Sequence, residues 1–162
     1  MSIAKRLKEY LEENKVPYTH CTHRLAYTAQ EVAAAQHVPG REMAKTIVFK
    51  ADGQFLLVIL PAVMKIDMKA LRNELPFKYV ELASEKEFAS LFPDSEIGAM
   101  VPFGNLYNLR VYVDESLSLD EDIVFNAGTH VDTVKMKYKD FERLVRPQII
   151  NAATRLEMVS GK

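Results

Sequence analysis

The chain has 162 residues, of which 48% are apolar, enough for one domain with a single substantial core and too little for a second. Its 21 Lys and Arg against 22 Asp and Glu leave a net charge of -1, which excludes a broadly basic nucleic-acid binder and confines any such contact to a local patch. The single cysteine, Cys21, excludes an internal disulfide framework and fits a reducing compartment.

The opening segment MSIAKRLKEYLEEN is charged and amphipathic, unlike a secretory leader, and no run has the length of a membrane span, so a cytoplasmic protein with no membrane contact is expected. Ile3, Leu7, Tyr10 and Leu11 recur at helical spacing behind Ser2, a candidate cap, and predict a surface helix with one buried stripe. Tyr18 to His23 alternates and is rich in Thr, which predicts a short strand. Thr28 and Glu31 stand in capping-box spacing at the start of a second helix, which should stop by His37 before Val38-Pro39-Gly40.

The runs KTIVFK and QFLLVILPA flank Ala51-Asp52-Gly53, the strongest hairpin signal in the chain. Both are nearly continuous in apolar residues and should be central strands covered on both faces. A short helix is predicted over IDMKALRNEL with Asp67 near its start, then a strand over FKYVEL, then a capping box at Ser84 and Glu87. Strands follow at RVYVDES, DIVFNAG and DTVKMKY, and a helix at KDFERLV stopped by Pro147. In DTVKMKY the lysines Lys135 and Lys137 share one face and Val134 and Met136 the other, giving either a solvated edge or a basic stripe for phosphates.

Late strands with short connections point to a single α+β domain over residues 1–147, its mixed, mostly antiparallel sheet flanked by helices. The tail 148–162 carries some helical pattern and no clear role.

Three constellations bear on chemistry. His20, Cys21 and His23 have metal-ligating and nucleophilic atoms, but strand alternation sends the two histidines to opposite faces, so no metal site and no cofactor is expected. The usual hydrolase and nucleotide-binding signatures are absent. Two glycine-containing turns remain, Glu96 to Leu106 with Gly98 and Gly104 around Pro102 and Phe103, and Asn126 to Thr133 with Gly128, Thr129 and His130. Glycine permits close approach of a ligand to backbone amides, and equally serves a tight turn. Lys45, at the entrance of the apolar run Thr46 to Phe49, is either a solvated strand end or a cation at a pocket mouth.

The motifs AKTIVF around Lys45, FLLVILPA, IGAMVPFG, VYVDESL and IVFNAGTHVDTVKMKYKDFERLV, in this order, resemble the YbaK/ProX-type family, relatives of the editing domain inserted in bacterial prolyl-tRNA synthetases. The resemblance runs from about Tyr18 to Arg146. It implies a sheet curved, barrel-like, around a small pocket, and hydrolysis of the ester joining a wrongly attached small amino acid to a tRNA 3′ end. The implied partners are the aminoacyl-tRNA acceptor end and an aminoacyl-tRNA synthetase.

By the same resemblance Lys45 is the required lysine and Gly98 lines the aminoacyl pocket. Gly128-Thr129-His130 is then the turn in which a histidine completes the site, and the loop through Met100, Pro102, Phe103 and Gly104 is a substrate wall. Ala99-Met100-Val101 departs from the small polar residue that many members carry after the glycine, which leaves the preferred amino acid open. A non-catalytic module that binds a tRNA end or a synthetase stays open beside the deacylase.

Overall fold

The computed structural model describes residues 3–155. Helix α1 (Lys5–Glu13) buries Leu7 and Leu11 as the helical spacing requires. The expected cap, Ser2, lies outside the described residues, and the N-cap position is Ala4, whose N–H donates to the carbonyl of Ala127 at 2.7 Å. The first turn of α1 is thus tied to a distant loop where a local side-chain cap was expected.

Strand β1 (Thr19–Thr22) leads to α2 (Ala29–Gln36), where the Thr28 hydroxyl accepts from the Glu31 N–H and the Glu31 carboxylate accepts from the Thr28 N–H, the predicted capping box. His37 ends the helix in the left-handed region at φ 59°. Strands β2 (Met43–Ala51) and β3 (Gln54–Pro61) form the predicted hairpin, and Asp52 and Gly53 at φ 49° and 82° have the paired positive φ of a tight two-residue turn. Val48, Leu57 and Ile59 enter one core layer, while Phe49, Leu56 and Val58 enter another. Strand alternation therefore accounts for their unbroken apolar sequence: both faces are covered.

After β4 (Met64–Ile66), the Asp67 carboxylate caps α3 (Met68–Glu74) by accepting from the N–H of Lys69 and Ala70. Strand β5 is confined to Val80–Leu82, because the Asp52 carboxylate takes the N–H groups of Lys78 and Tyr79 at 2.9 and 2.8 Å. Ser84 and Glu87 cap α4 (Glu85–Phe88) as predicted.

Strand β6 (Arg110–Asp114) stops short of Ser116, since the Asp114 side chain accepts the Ser116 N–H and starts the one-turn helix α5 (Glu115–Ser118). Strand β7 (Asp122–Asn126) and β8 (Asp132–Lys137) pair antiparallel. In β8 Val134 and Met136 are buried and Lys135 and Lys137 exposed, while Tyr138 begins α6 (Tyr138–Val145). The tail departs from its helical pattern: β9 (Gln148–Ile150) pairs with β6, so the main sheet continues past residue 147, and β10 (Ala153–Arg155) pairs with β4 in a separate two-stranded sheet.

The architecture is α+β, with helices flanking a mixed sheet in the order β1-β8-β7-β2-β3-β6-β9. Pairs β2–β7, β3–β6 and β6–β9 are parallel and the others antiparallel. Among the described residues the sheet keeps two ends, β1 and β9, and is not a closed barrel. No helix among them is long and apolar enough to cross a membrane.

One detail of this topology positions the site. On the side of β2 away from β3, Met43 and Ala44 pair with β7, whereas Phe49 to Ala51 pair with β5. Between these contacts the sheet forks, and on that side no strand among the described residues lies beside the edge of Lys45 to Ile47.

Candidate active site

A cavity of about 180 Å³ opens at this fork. Ala44, Lys45, Thr46 and Ile47 of β2 form its floor, and Asn126, the last residue of β7, stands where that strand leaves β2. Gly98 and Met100 close one side, and Ala29, the first residue of α2, closes another.

Lys45 also lines a neighbouring groove with Thr28, Gln30 and Ala62, so its side chain stands at the junction of an inner cavity and an outer groove. It is half-buried, and burial, which strips water from the ammonium, holds its pKa below the ordinary value. Among the described residues no carboxylate lies within ion-pairing distance of Lys45, unlike Lys50, which is 2.9 Å from Glu87. A partly desolvated cation with no partner is poised for an anion or a lone pair brought from outside.

Gly98 has φ +90°, a conformation that suits glycine, and its N–H is engaged only by the Met100 sulfur at 3.0 Å, a weak acceptor. Met100 is buried and connects the cavity wall to the main core. Asn126 is 9% exposed, and its Oδ1 has no hydrogen-bond partner among the described residues. An unsatisfied carboxamide oxygen in a cavity wall is costly in an apolar setting and marks a polar position in this one.

The second glycine turn packs against the loop that carries Gly98. The Gly128 N–H donates to the Ala99 carbonyl at 2.9 Å, and the Gly128 carbonyl accepts from the Glu96 N–H at 2.7 Å. Its glycine answers to packing, because a Cβ there would stand 2.9 Å from Cβ of Ala4. Its amide is thus spent on the neighbouring loop. Thr129 is buried, donating its hydroxyl to Asp132 at 2.6 Å. Burial pushes the Asp132 carboxyl up, but the Thr129 hydroxyl and the His20 ring, 2.6 Å away, outweigh it and leave the pKa lowered.

His130 clasps the two turns together. Its N–H donates to the Glu96 carboxylate at 2.8 Å, and its ring Nε2 donates to the Ile97 carbonyl at 2.9 Å. Since a carbonyl can only accept, the neutral ring carries its proton on Nε2, and Nδ1 is buried without a partner. The ring backs Gly98, where a Cβ would stand 3.3 Å from Cε1. It supports the wall from outside the cavity.

Pro102, Phe103 and Gly104 sit in the core and do not line this cavity, contrary to the expected substrate wall. Phe103 packs against Tyr10, Phe125 and Phe141, and a Cβ on Gly104 would meet the Leu109 carbonyl at 2.7 Å. Sequence reasoning did not single out Asn126, Thr46, Ile47 or Ala29. Asn126 alone carried a signal, a polar residue ending the apolar run Ile123-Val124-Phe125. His20 is engaged by Asp132, His23 Nδ1 lies 2.6 Å from the Arg24 carbonyl, and no group of three His, Cys, Asp or Glu gathers among the described residues.

The family model "Aminoacyl-tRNA editing domain" matches residues 23–144. The multifunctional Ser/Thr-tRNA deacylase ProXp-y of Escherichia coli (strain K12) is 27% identical over 152 residues, 91% of this chain and 90% of that one. The proline-tRNA ligase of Lactococcus lactis subsp. cremoris (strain MG1363) is 29% identical over 118 residues, 73% of this chain. The chain spans less than a fifth of that ligase's length, the matched part being 18% of it. Among solved structures, the hypothetical protein APE2540 superposes with a TM-score of 0.83 at 17% identity, covering 93% of this chain and all of the other. A candidate trans-editing enzyme for prolyl tRNA synthetase gives 0.79 at 20% identity over 93% of this chain and 96% of its own.

Proposed function

Because the chain belongs to the aminoacyl-tRNA editing domain family, we propose that it is a trans-editing deacylase, acting in the cytoplasm on tRNA mischarged with a small amino acid. The observation that carries this reading is Lys45, a half-buried cation without a carboxylate partner among the described residues, placed where a small cavity meets an outer groove. In this reading the groove takes the ribose and terminal phosphate of the acceptor end, Lys45 holds them, and the aminoacyl group enters the cavity. At about 180 Å³ the cavity is little larger than a 150 Å³ hole that holds benzene, which sets an upper limit on the group that enters it.

An aminoacyl ester is already activated, so hydrolysis calls mainly for positioning and for stabilising the charge that develops on the carbonyl oxygen. The open edge of β2 and the nearly free Gly98 N–H supply backbone groups for that purpose. Water adds to the carbonyl carbon, the tetrahedral intermediate collapses with cleavage of the bond to the ribose oxygen, which leaves with one proton of the water, and the amino acid departs as its carboxylate while the second proton passes to solvent. His130 contributes by holding the Gly98 wall in place.

The test is release of amino acid from mischarged tRNA by wild type, Lys45→Ala and His130→Ala. Loss of at least about tenfold in Lys45→Ala is expected from one charge-assisted hydrogen bond. His130→Ala should lose activity together with order in the Ile97-Gly98 loop. Unchanged release by Lys45→Ala overturns the assignment, and binding of tRNA ends or of a synthetase with no release by wild type makes the chain a recognition module.

A further inference from the structure

Resting on the deacylase reading, we propose that Tyr27 is a stacking platform for the terminal base of the tRNA acceptor end. Tyr27 immediately precedes Thr28 and Ala29, which line the outer groove and the inner cavity. Tyr27 is 60% exposed, yet its backbone and its ring are each held at one point. Its N–H donates to the Glu31 carboxylate of the α2 capping box at 3.1 Å. Its ring leans on the His130 ring, centroids 4.7 Å apart and planes inclined at 53°.

His130 is itself clamped by Glu96 and Ile97, so the aromatic pair has a rigid underside and an open outer surface. Leu25, two residues before Tyr27, and Ile97, which holds the histidine, are also exposed large apolar side chains. The rim on this side of the site is therefore apolar and aromatic, where the groove floor offers a cation.

This geometry suits a nucleobase. If the ester lies in the cavity, the sugar that bears it lies at the mouth, and the base on that sugar projects one ring further out. An unpaired base at a single-stranded end has two open π faces, and an aromatic side chain held in place can cover one with little loss of freedom. The amino acid itself is an unsuitable occupant, because it is directed inward. Stacking of this kind reads no base identity, so the platform supplies affinity and alignment of the ester rather than choice of tRNA.

The chain contains no tryptophan, so Tyr27→Trp creates a single fluorescent reporter at the proposed contact. Titration with uncharged tRNA is expected to quench it saturably, and titration with the same tRNA made abasic at its terminal nucleotide is expected to quench it far less. In kinetics, Tyr27→Phe should stay within about twofold of wild type, while Tyr27→Ala should lose about tenfold in kcat/KM, mainly through KM. That loss should vanish on a substrate whose terminal nucleotide lacks its base.

Equal quenching by both tRNAs overturns the proposal, as does an equal loss by Tyr27→Ala on both substrates, which would mean that the ring only props His130. Base-dependent quenching with no hydrolysis by wild type would uphold the platform while removing the deacylase reading beneath it.

Discussion

Replacing Lys45 by methionine keeps most of the side-chain volume and removes the charge, which separates two contributions of opposite sign. The ammonium is half-buried without a carboxylate partner among the described residues, and burial places its pKa below the ordinary 10.5. A lysine whose folded pKa lies below its unfolded one weakens the folded state while it is charged, and the cost fades as pH rises through the folded value and is gone above the unfolded one. Lys45→Met should therefore leave Tm at pH 7 unchanged or raised, and the gap from wild type should close above about pH 10.5.

The substrate feels the reverse. A charge-assisted hydrogen bond to a phosphate or ribose oxygen is worth about 1.5–3 kcal/mol, or roughly 10- to 150-fold in kcat/KM. Thermal unfolding across pH, with single-turnover deacylation at a temperature where both proteins are folded, measures both quantities. Activity within about twofold of wild type would refute the reasoning, as would a fall in Tm that accounts for the whole loss.

Gly98→Ala combines an unfavourable φ of +90° with a Cβ 3.3 Å from His130, a strain of about 1–3 kcal/mol, so Tm should drop by about 2–10 °C and the Nε2–H signal of His130 should shift or broaden in NMR. An unperturbed His130 signal would contradict the clasp between the two loops. Phe103→Ala should cost about 3–5 kcal/mol in urea unfolding while folded molecules keep their kcat/KM, because Phe103 is core and not cavity wall. Activity lost at full stability would restore it to the site. Asp132, whose pKa is lowered in the folded state, stabilises the chain above its ordinary pKa of 3.8, and that stability is lost as pH falls through the lower folded value. Wild type should thus lose more stability than Asp132→Asn between about pH 5 and 2, and parallel acid-unfolding curves would argue against the Thr129-Asp132-His20 network.

The features legible in the sequence are those decided within a few residues. The Thr28 and Ser84 capping boxes, the Asp52-Gly53 turn and the two-sided β2–β3 hairpin each follow from local chemistry. The glycine turns were legible as turns, but not in their purpose. Gly98 faces a cavity and Gly128 faces Ala4, a residue from the other end of the chain, and no spacing within NAGTHVDT encodes that difference.

The fork that opens the cavity was also hidden, because it depends on β7 and β5 meeting opposite ends of one flank of β2. Asn126 and Thr46 become site residues only through that fork. Likewise, Gln148-Ile149-Ile150 is too short for its period to distinguish helix from strand, and the unpaired side of β6 decides the matter. Lys45 was legible as a question, a charge at a strand entrance, and its half-burial at a cavity mouth required the fold.

The most direct test of the central claim is wild-type protein, in catalytic amounts, against a panel of tRNAs mischarged with small amino acids. The account predicts multiple-turnover release of at least one of them, well above the spontaneous rate, with correctly charged tRNA spared. Release at the protein-free rate across the whole panel would contradict it.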